Sequence, residues 1–245
     1  MNMTLRANFS RCTDALLDPG ANALRSISVA ASAFVLSGVA VGQQVPQKAQ
    51  VGPGTAVVAP GVRNIRLELD EIPPGTYDIT TKETLVRYGV DHMGFSEYWG
   101  TFPGASGTLV FDPKSLGTTK LDVKVPIAMV ETTNRELNGQ LFSDEFFDAE
   151  TYPWIKFVST SLVRTGPKTA RLVGDLSMHN ITRPVTLDVT FIGGGINPFG
   201  DKAQIIGFRA EGMVKRSDFG MGKYVPFVSD DTRIVVSSSL AQKLP

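Results

Sequence analysis

From about residue 75 onward, apolar and polar side chains alternate almost one for one, and this constrains the fold more than any other feature. Val86, Tyr88, Val90 and His92 share one phase while Arg87, Gly89 and Asp91 take the other. The same alternation runs through Leu121, Val123, Val125 and Ile127, through Ile155, Phe157 and Ser159, and through Leu172, Gly174, Leu176 and Met178. It continues in Val185, Leu187, Val189 and Phe191, then Phe208, Ala210, Gly212 and Val214, and ends with Ile234 and Val236. Successive side chains of a strand point to opposite faces, so this pattern describes antiparallel strands with one face on a core and one in water. Turn-forming strings separate the runs at 103–107, 112–117, 164–168 and 193–200. Short strands at that spacing build a barrel or a sandwich. One stretch, Thr133 to Phe147, breaks the alternation and favours helix, with Leu137, Leu141 and Phe142 on one side. It is expected to cap one end of the sheet structure.

The first 70 residues read differently. Arg6, Arg11 and Arg25 precede an apolar run from Ile27 to Val41, shorter than the roughly 20 residues that span a bilayer. Ala40 and Gly42 follow at signal-peptidase spacing, so residues 1–42 are expected to be a signal peptide cleaved near Gly42. Residues 43–70, rich in Gln, Pro, Gly and Ala, read as a flexible linker, and the domain is expected to start near Glu71 and run to 245. This places the mature protein in the periplasm or outside the cell. The single cysteine, Cys12, would leave with the signal, so the core alone must stabilise the domain. The formal net charge is zero, which argues against nucleic acid as a partner, because binding phosphates needs a surplus of Lys and Arg.

Several glycines fall on the apolar phase. Gly100 alternates with Tyr98 and Phe102, Gly107 precedes Leu109 and Phe111, and Gly174 and Gly212 sit within inward sets. An inward glycine removes a side chain and leaves space, or lets the strand bend. Parity alone leaves open whether the interior is hollow or well filled.

Chemistry is sparse. His92 and His179 are the only histidines, each in a strand-like segment, and neither stands in an HExxH or His-x-His pattern. There is no G-x-S-x-G elbow and no phosphate loop, and Gly193–Gly195 reads as part of a turn. Asp144, Glu145, Asp148 and Glu150 lack calcium-loop spacing and read as a solvated acidic face.

Taken together, a series of strings resembles the YceI-like family of exported lipid-binding proteins. These are Tyr77-Asp78-Ile79, Val86 through His92-Met93-Gly94, Gly100-Thr101-Phe102, Gly107 to Asp112 and Phe146-Phe147-Asp148. They continue with Tyr152-Pro153, Phe157-Val158-Ser159, Gly174-Asp175-Leu176 and Thr182-Arg183-Pro184-Val185. The most specific piece is Arg216-Ser217-Asp218-Phe219-Gly220-Met221, followed by Val228-Ser229-Asp230. The resemblance implies an all-β fold: an extended antiparallel lipocalin-like barrel of about eight strands with a short helical insertion. It also implies an interior that holds an isoprenoid or another long-chain lipid, with no catalytic residue, metal or cofactor. It allows a homodimer and proximity to a membrane. The residues expected to face the ligand are Tyr88, Val90, His92, Tyr98, Phe102, Leu109, Phe111, Phe157, Leu176, Met178, Phe208 and Phe219.

The chain departs from the family pattern at four places. Thr80 and Glu83 stand where Asp and His are usual, Asn180 replaces Gly, and Tyr88 replaces Phe. The Tyr88 hydroxyl, set in an apolar wall, needs a partner or a polar ligand atom. Two rival readings carry different geometry. A small barrel enzyme would pair His92 with an acid such as Asp218 in a wet pocket, and a structural β-domain would have a filled core.

Overall fold

The alternating segments form a ten-stranded antiparallel sheet that closes on itself. The computed structural model describes residues 67–199 and 202–243. The expected signal peptide and nearly all of the expected linker lie outside the described residues. The strands are β1 (Gly75–Ile79), β2 (Leu85–His92), β3 (Ser96–Phe102), β4 (Ser106–Phe111) and β5 (Lys120–Pro126), followed by β6 (Trp154–Arg164), β7 (Thr169–Met178), β8 (Ile181–Ile196), β9 (Gln204–Lys215) and β10 (Val228–Gln242). The one α-helix among the described residues is α1 (Arg135–Phe142).

Eight strand positions close the barrel. β1, β4, β5, β6, β7, β8, β9 and β10 pair in that order, and β10 returns to β1 through Tyr77↔Gln242 and Ile79↔Leu240. β2 and β3 prolong the first two positions upward. β2 takes over beside β10 from Ser237↔Leu85 to Val228↔His92, and β3 pairs with β2. A bridge between Thr101 and Glu131 closes the upper ring beyond β5. Two interruptions let this long hairpin bend. At the first, Thr84 is buried and its hydroxyl bonds Ser238 Oγ at 3.1 Å, while Glu83 is exposed. At the second, a Cβ on Gly107 would lie 2.0 Å from the Asp122 carbonyl oxygen, so no other residue fits.

The lower end is plugged by chain that the sequence pattern assigned to linker. Leu67 donates its backbone N–H to Gly194 O at 2.7 Å, a 3-10 turn spans Leu69–Glu71, and Leu69 and Ile72 are buried. Asp70 pairs with Arg164 at 3.0 Å and Glu68 with Lys168 at 2.8 Å. The packed domain therefore reaches back to Leu67, ahead of Glu71. The Gly193–Gly195 run is likewise strand, not turn. β8 continues to Ile196 because these glycines form the floor on which the plug sits, and a Cβ on Gly194 would meet Ile72 Cδ1 at 2.5 Å.

At the upper end, α1 is shorter than the expected 133–147 helix. Asn134 caps it by accepting from Glu136 N at 2.9 Å, and Ser143 ends it by bonding Gln140 O through Oγ at 2.7 Å. The chain then turns back and buries Phe146 and Phe147 at the rim. His179 is not in a strand. With Asn180 it forms the two-residue turn between β7 and β8, both residues at positive φ (49 and 58), which is the twist such a hairpin favours. The His179 Nδ1 lies 3.0 Å from Phe219 O, with its ring edge-on to Tyr152.

Candidate functional site

Two apolar clusters line the barrel. The lower one gathers Tyr77, Phe111, Phe191, Ile206 and Leu240 around the plug; the upper one includes Phe102, Phe147, Phe157, Leu176 and Phe219. They wall a cavity of about 960 Å³. All twelve residues singled out in the sequence border it. Leu109, Phe111 and Phe208 lie near its floor, where the Phe208 ring stands 6.0 Å from Phe111 and 5.5 Å from Phe191. Tyr88, Phe102, Phe157, Leu176, Met178 and Phe219 form its upper wall. Val90, His92 and Tyr98 border its mouth, on the β2–β3 hairpin.

The ligand-facing set drawn from the sequence left out the residues that close the circle. Ala210, Ile234 and Val236 face the cavity from β9 and β10, and Leu137, Gln140 and Leu141 face it from α1. For β9 and β10 the signal was present, because these side chains share the inward phase of their strands.

The inward glycines act differently from the expectation that they leave empty space. A Cβ on Gly100 would lie 2.4 Å from the Tyr88 ring, on Gly174 2.4 Å from Phe157, and on Gly212 2.6 Å from Leu187. Tyr88 faces Gly100 and Leu187 faces Gly212 directly across their strand pairs. Each glycine thus lets a large neighbour lie flat along the wall. The lumen stays open because those side chains recline instead of projecting inward.

Around the mouth the lining turns polar, with Asn134, Glu136, Gln140, Lys223 and Tyr224. Helix α1 is clasped across this opening. Gln140 Nε2 donates to Tyr224 Oη at 2.8 Å, Glu145 pairs with Lys223, and Tyr98 Oη lies 3.2 Å from Thr133 Oγ1. Their mutual hydrogen bond moves the Glu145 pKa down and the Lys223 pKa up, so both stay charged. Behind the clasp, buried Arg216 gathers the chain before β10. It donates Nε to Ser229 O, Nη1 to Met221 O and Lys223 O, and Nη2 to Val228 O, at 2.5 to 2.9 Å. Burial lowers its pKa, and neighbouring Asp230 opposes that shift. Burial acts to raise the pKa of Asp230 itself. Hydrogen bonds from Ser217 Oγ and N and the charges of Lys215 and Arg216 outweigh it, and the net shift is downward.

Two hydroxyls of the wall, those of Tyr88 and Thr119, are buried without a partner, and Tyr88 is the larger departure. Its hydroxyl is sealed from solvent and has no hydrogen-bond partner. Burial, and to a lesser degree Tyr98, raises its pKa, so it stays protonated. A buried unpaired hydroxyl costs about 1–3 kcal/mol. Tyr88→Phe should therefore raise the thermal midpoint of the ligand-free protein, by about 2–4 °C per kcal/mol for a domain of this size. An unchanged or lower midpoint in calorimetry would mean that the hydroxyl has found a partner.

The structure does not bring His92 and Asp218 together: Asp218 is exposed on the turn after β9 and does not border the cavity that His92 lines. A filled core is equally at odds with the cavity volume. Among the described residues no group of three or more His, Cys, Asp or Glu could hold a metal ion.

A family model for the YceI-like domain matches residues 77–240. This chain belongs to the YceI-like family. Protein YceI of Escherichia coli O157:H7 is 33% identical to it over 156 residues, covering 64% of this chain and 80% of the relative. The crystal structure of the Campylobacter jejuni YCEI protein superimposes with a TM-score of 0.57 at 29% identity, over 63% of this chain and 90% of that one. A polyisoprenoid binding domain from Saccharophagus degradans shares the fold, with a TM-score of 0.50 at 10% identity over 70% of this chain and all of that domain. Within this YceI-like barrel, the Arg216–Met221 segment that was most specific in the sequence supplies both the buried guanidinium and Phe219 of the cavity wall.

Proposed function

We propose that this YceI-like barrel carries a long-chain isoprenoid or similar amphiphilic lipid, held lengthwise with its chain in the cavity and its polar end at the mouth. The observation that carries this reading is the cavity: its wall is mostly apolar, broken by a few hydroxyls such as those of Thr84, Tyr88, Thr119 and Ser238, and the charged side chains Glu136 and Lys223 stand at the opening. Its 960 Å³ lies at the upper end of the range for small-molecule sites. If each carbon takes roughly the 30 Å³ that a liquid water occupies, about thirty carbon-sized groups fit. Burying such a chain releases about 25 cal/mol per Å² of apolar surface, and lost chain mobility offsets part of the gain. The shared fold with a polyisoprenoid binding domain supports the same reading. The signal-like N-terminus supports action in the periplasm or outside the cell. The reading needs neither catalysis nor a cofactor.

Native mass spectrometry of the protein purified from its own host tests it directly. The expected spectrum shows an added mass that organic extraction removes and identifies as a long-chain lipid. A clean unliganded mass, together with no uptake of a prenyl chain supplied in detergent, would overturn the proposal.

A further inference from the structure

The mouth carries an apolar rim that the barrel itself does not need. Met93 and Phe95 sit at the tip of the β2–β3 hairpin, Phe95 with 85% of its surface exposed. Tyr224, Val225 and Phe227 sit on the turn before β10, Phe227 with 71% exposed. The two projections are one surface: Met93 N donates to Phe227 O at 2.7 Å, and Val228 pairs with His92 as the next rung of the sheet. Val228 N in turn donates to Tyr224 O at 2.9 Å, folding the turn upon itself. This surface runs straight into the cavity, because Tyr224, Val228 and His92 all line it.

We propose that this rim docks the barrel on a lipid bilayer, with the mouth turned to the membrane. The inference rests on the lipid-carrying reading and adds the partner from which the chain is taken. A lipid chain moving from bilayer to cavity through water would expose all its apolar surface, whereas an apolar rim continuous with the cavity wall spares it that exposure. Two features favour a bilayer over a protein partner. The most exposed side chains are phenylalanines on adjoining turn tips, which protrude as wedges and do not form a flat complementary face. The cations beside them are already matched, Lys223 with Glu145 and Arg233 with Glu97 at 3.7 Å, and Asp91 Oδ1 accepts from Gly94 N within the hairpin tip. Such a rim suits a zwitterionic surface, and its docking should depend little on salt.

The test uses protein purified from its host and the double variant Phe95→Ser/Phe227→Ser. Both positions are exposed, so the thermal midpoint should not move. Co-sedimentation with phosphatidylcholine vesicles should fall at least about tenfold in the variant, by a similar factor in low and high salt. Transfer of a prenyl lipid from vesicles should slow in parallel, while uptake of the same lipid from detergent stays unchanged. Equal sedimentation of the two proteins overturns the docking proposal. So does light scattering that finds a dimer without vesicles which the variant dissolves, since the rim would then bind a second copy. Uptake from detergent without vesicle binding overturns docking alone; vesicle binding without uptake from any source overturns the carrier reading and leaves the docking surface standing.

Discussion

Replacing Arg216 with methionine should destabilise the barrel by about 3–5 kcal/mol, because several buried carbonyls lose their donor at once and each costs about 1–3 kcal/mol when left unpaired. For a domain of this size that is a fall of roughly 6–20 °C in thermal midpoint. The reason is local. The guanidinium fork is the shared donor for the carbonyls of Met221, Lys223, Val228 and Ser229. Methionine fills similar apolar volume but removes all four of these hydrogen bonds. Arg216→Lys should recover little, because an ammonium cannot reach carbonyls spread around a planar fork. Thermal unfolding measures both. A loss below about 1 kcal/mol for the methionine variant, the scale of an ordinary hydrogen bond, would show that the loop holds its shape without this residue.

The second large effect concerns binding. Ala210 lies on β9 between Val189 of β8 and Val236 of β10, and lines the cavity against the upper apolar cluster. Ala210→Trp puts an indole across the lumen. A chain stopped there leaves several methylenes unburied at about 0.8 kcal/mol each, so affinity for a long prenyl chain should drop at least a hundredfold. The thermal midpoint should hold or rise, because the indole gains contacts in formerly open space. Titration with a long and a short chain separates the outcomes: the short chain should bind either protein alike. Undiminished binding of the long chain would mean that it does not pass Ala210.

Much of this was legible in the sequence because strand alternation reports the inward face directly. The twelve residues expected to face a ligand all border the cavity, although inward-phase neighbours such as Ile127 and Phe191 do not. What stayed hidden depended on non-local contact. Gly193–Gly195 looks like a turn until Ile72, more than a hundred residues earlier, packs on it. Residues 67–70 read as linker because a 3-10 plug has too few residues to show a period. His179 sits in a turn because Asn180 tolerates the left-handed backbone that the family usually gives to glycine. The glycines were correctly placed inside, yet their role depends on which side chain lies across each one, and strand pairing decides that. The Tyr88 hydroxyl was flagged from sequence as needing a partner, and the fold supplies none.

The plug at the lower end has a kinetic corollary. With Leu69, Ile72 and Tyr77 packed beneath it, the lumen is a blind bore, and under the proposed carrier reading a bound chain would use the same door in both directions. A chain threads tip first and withdraws tip last, so the end left at the doorway is the only part a recipient can grasp. On that reading discharge would be governed by whatever meets that end, and the barrel would not act as a pipe that passes its load from one side to the other.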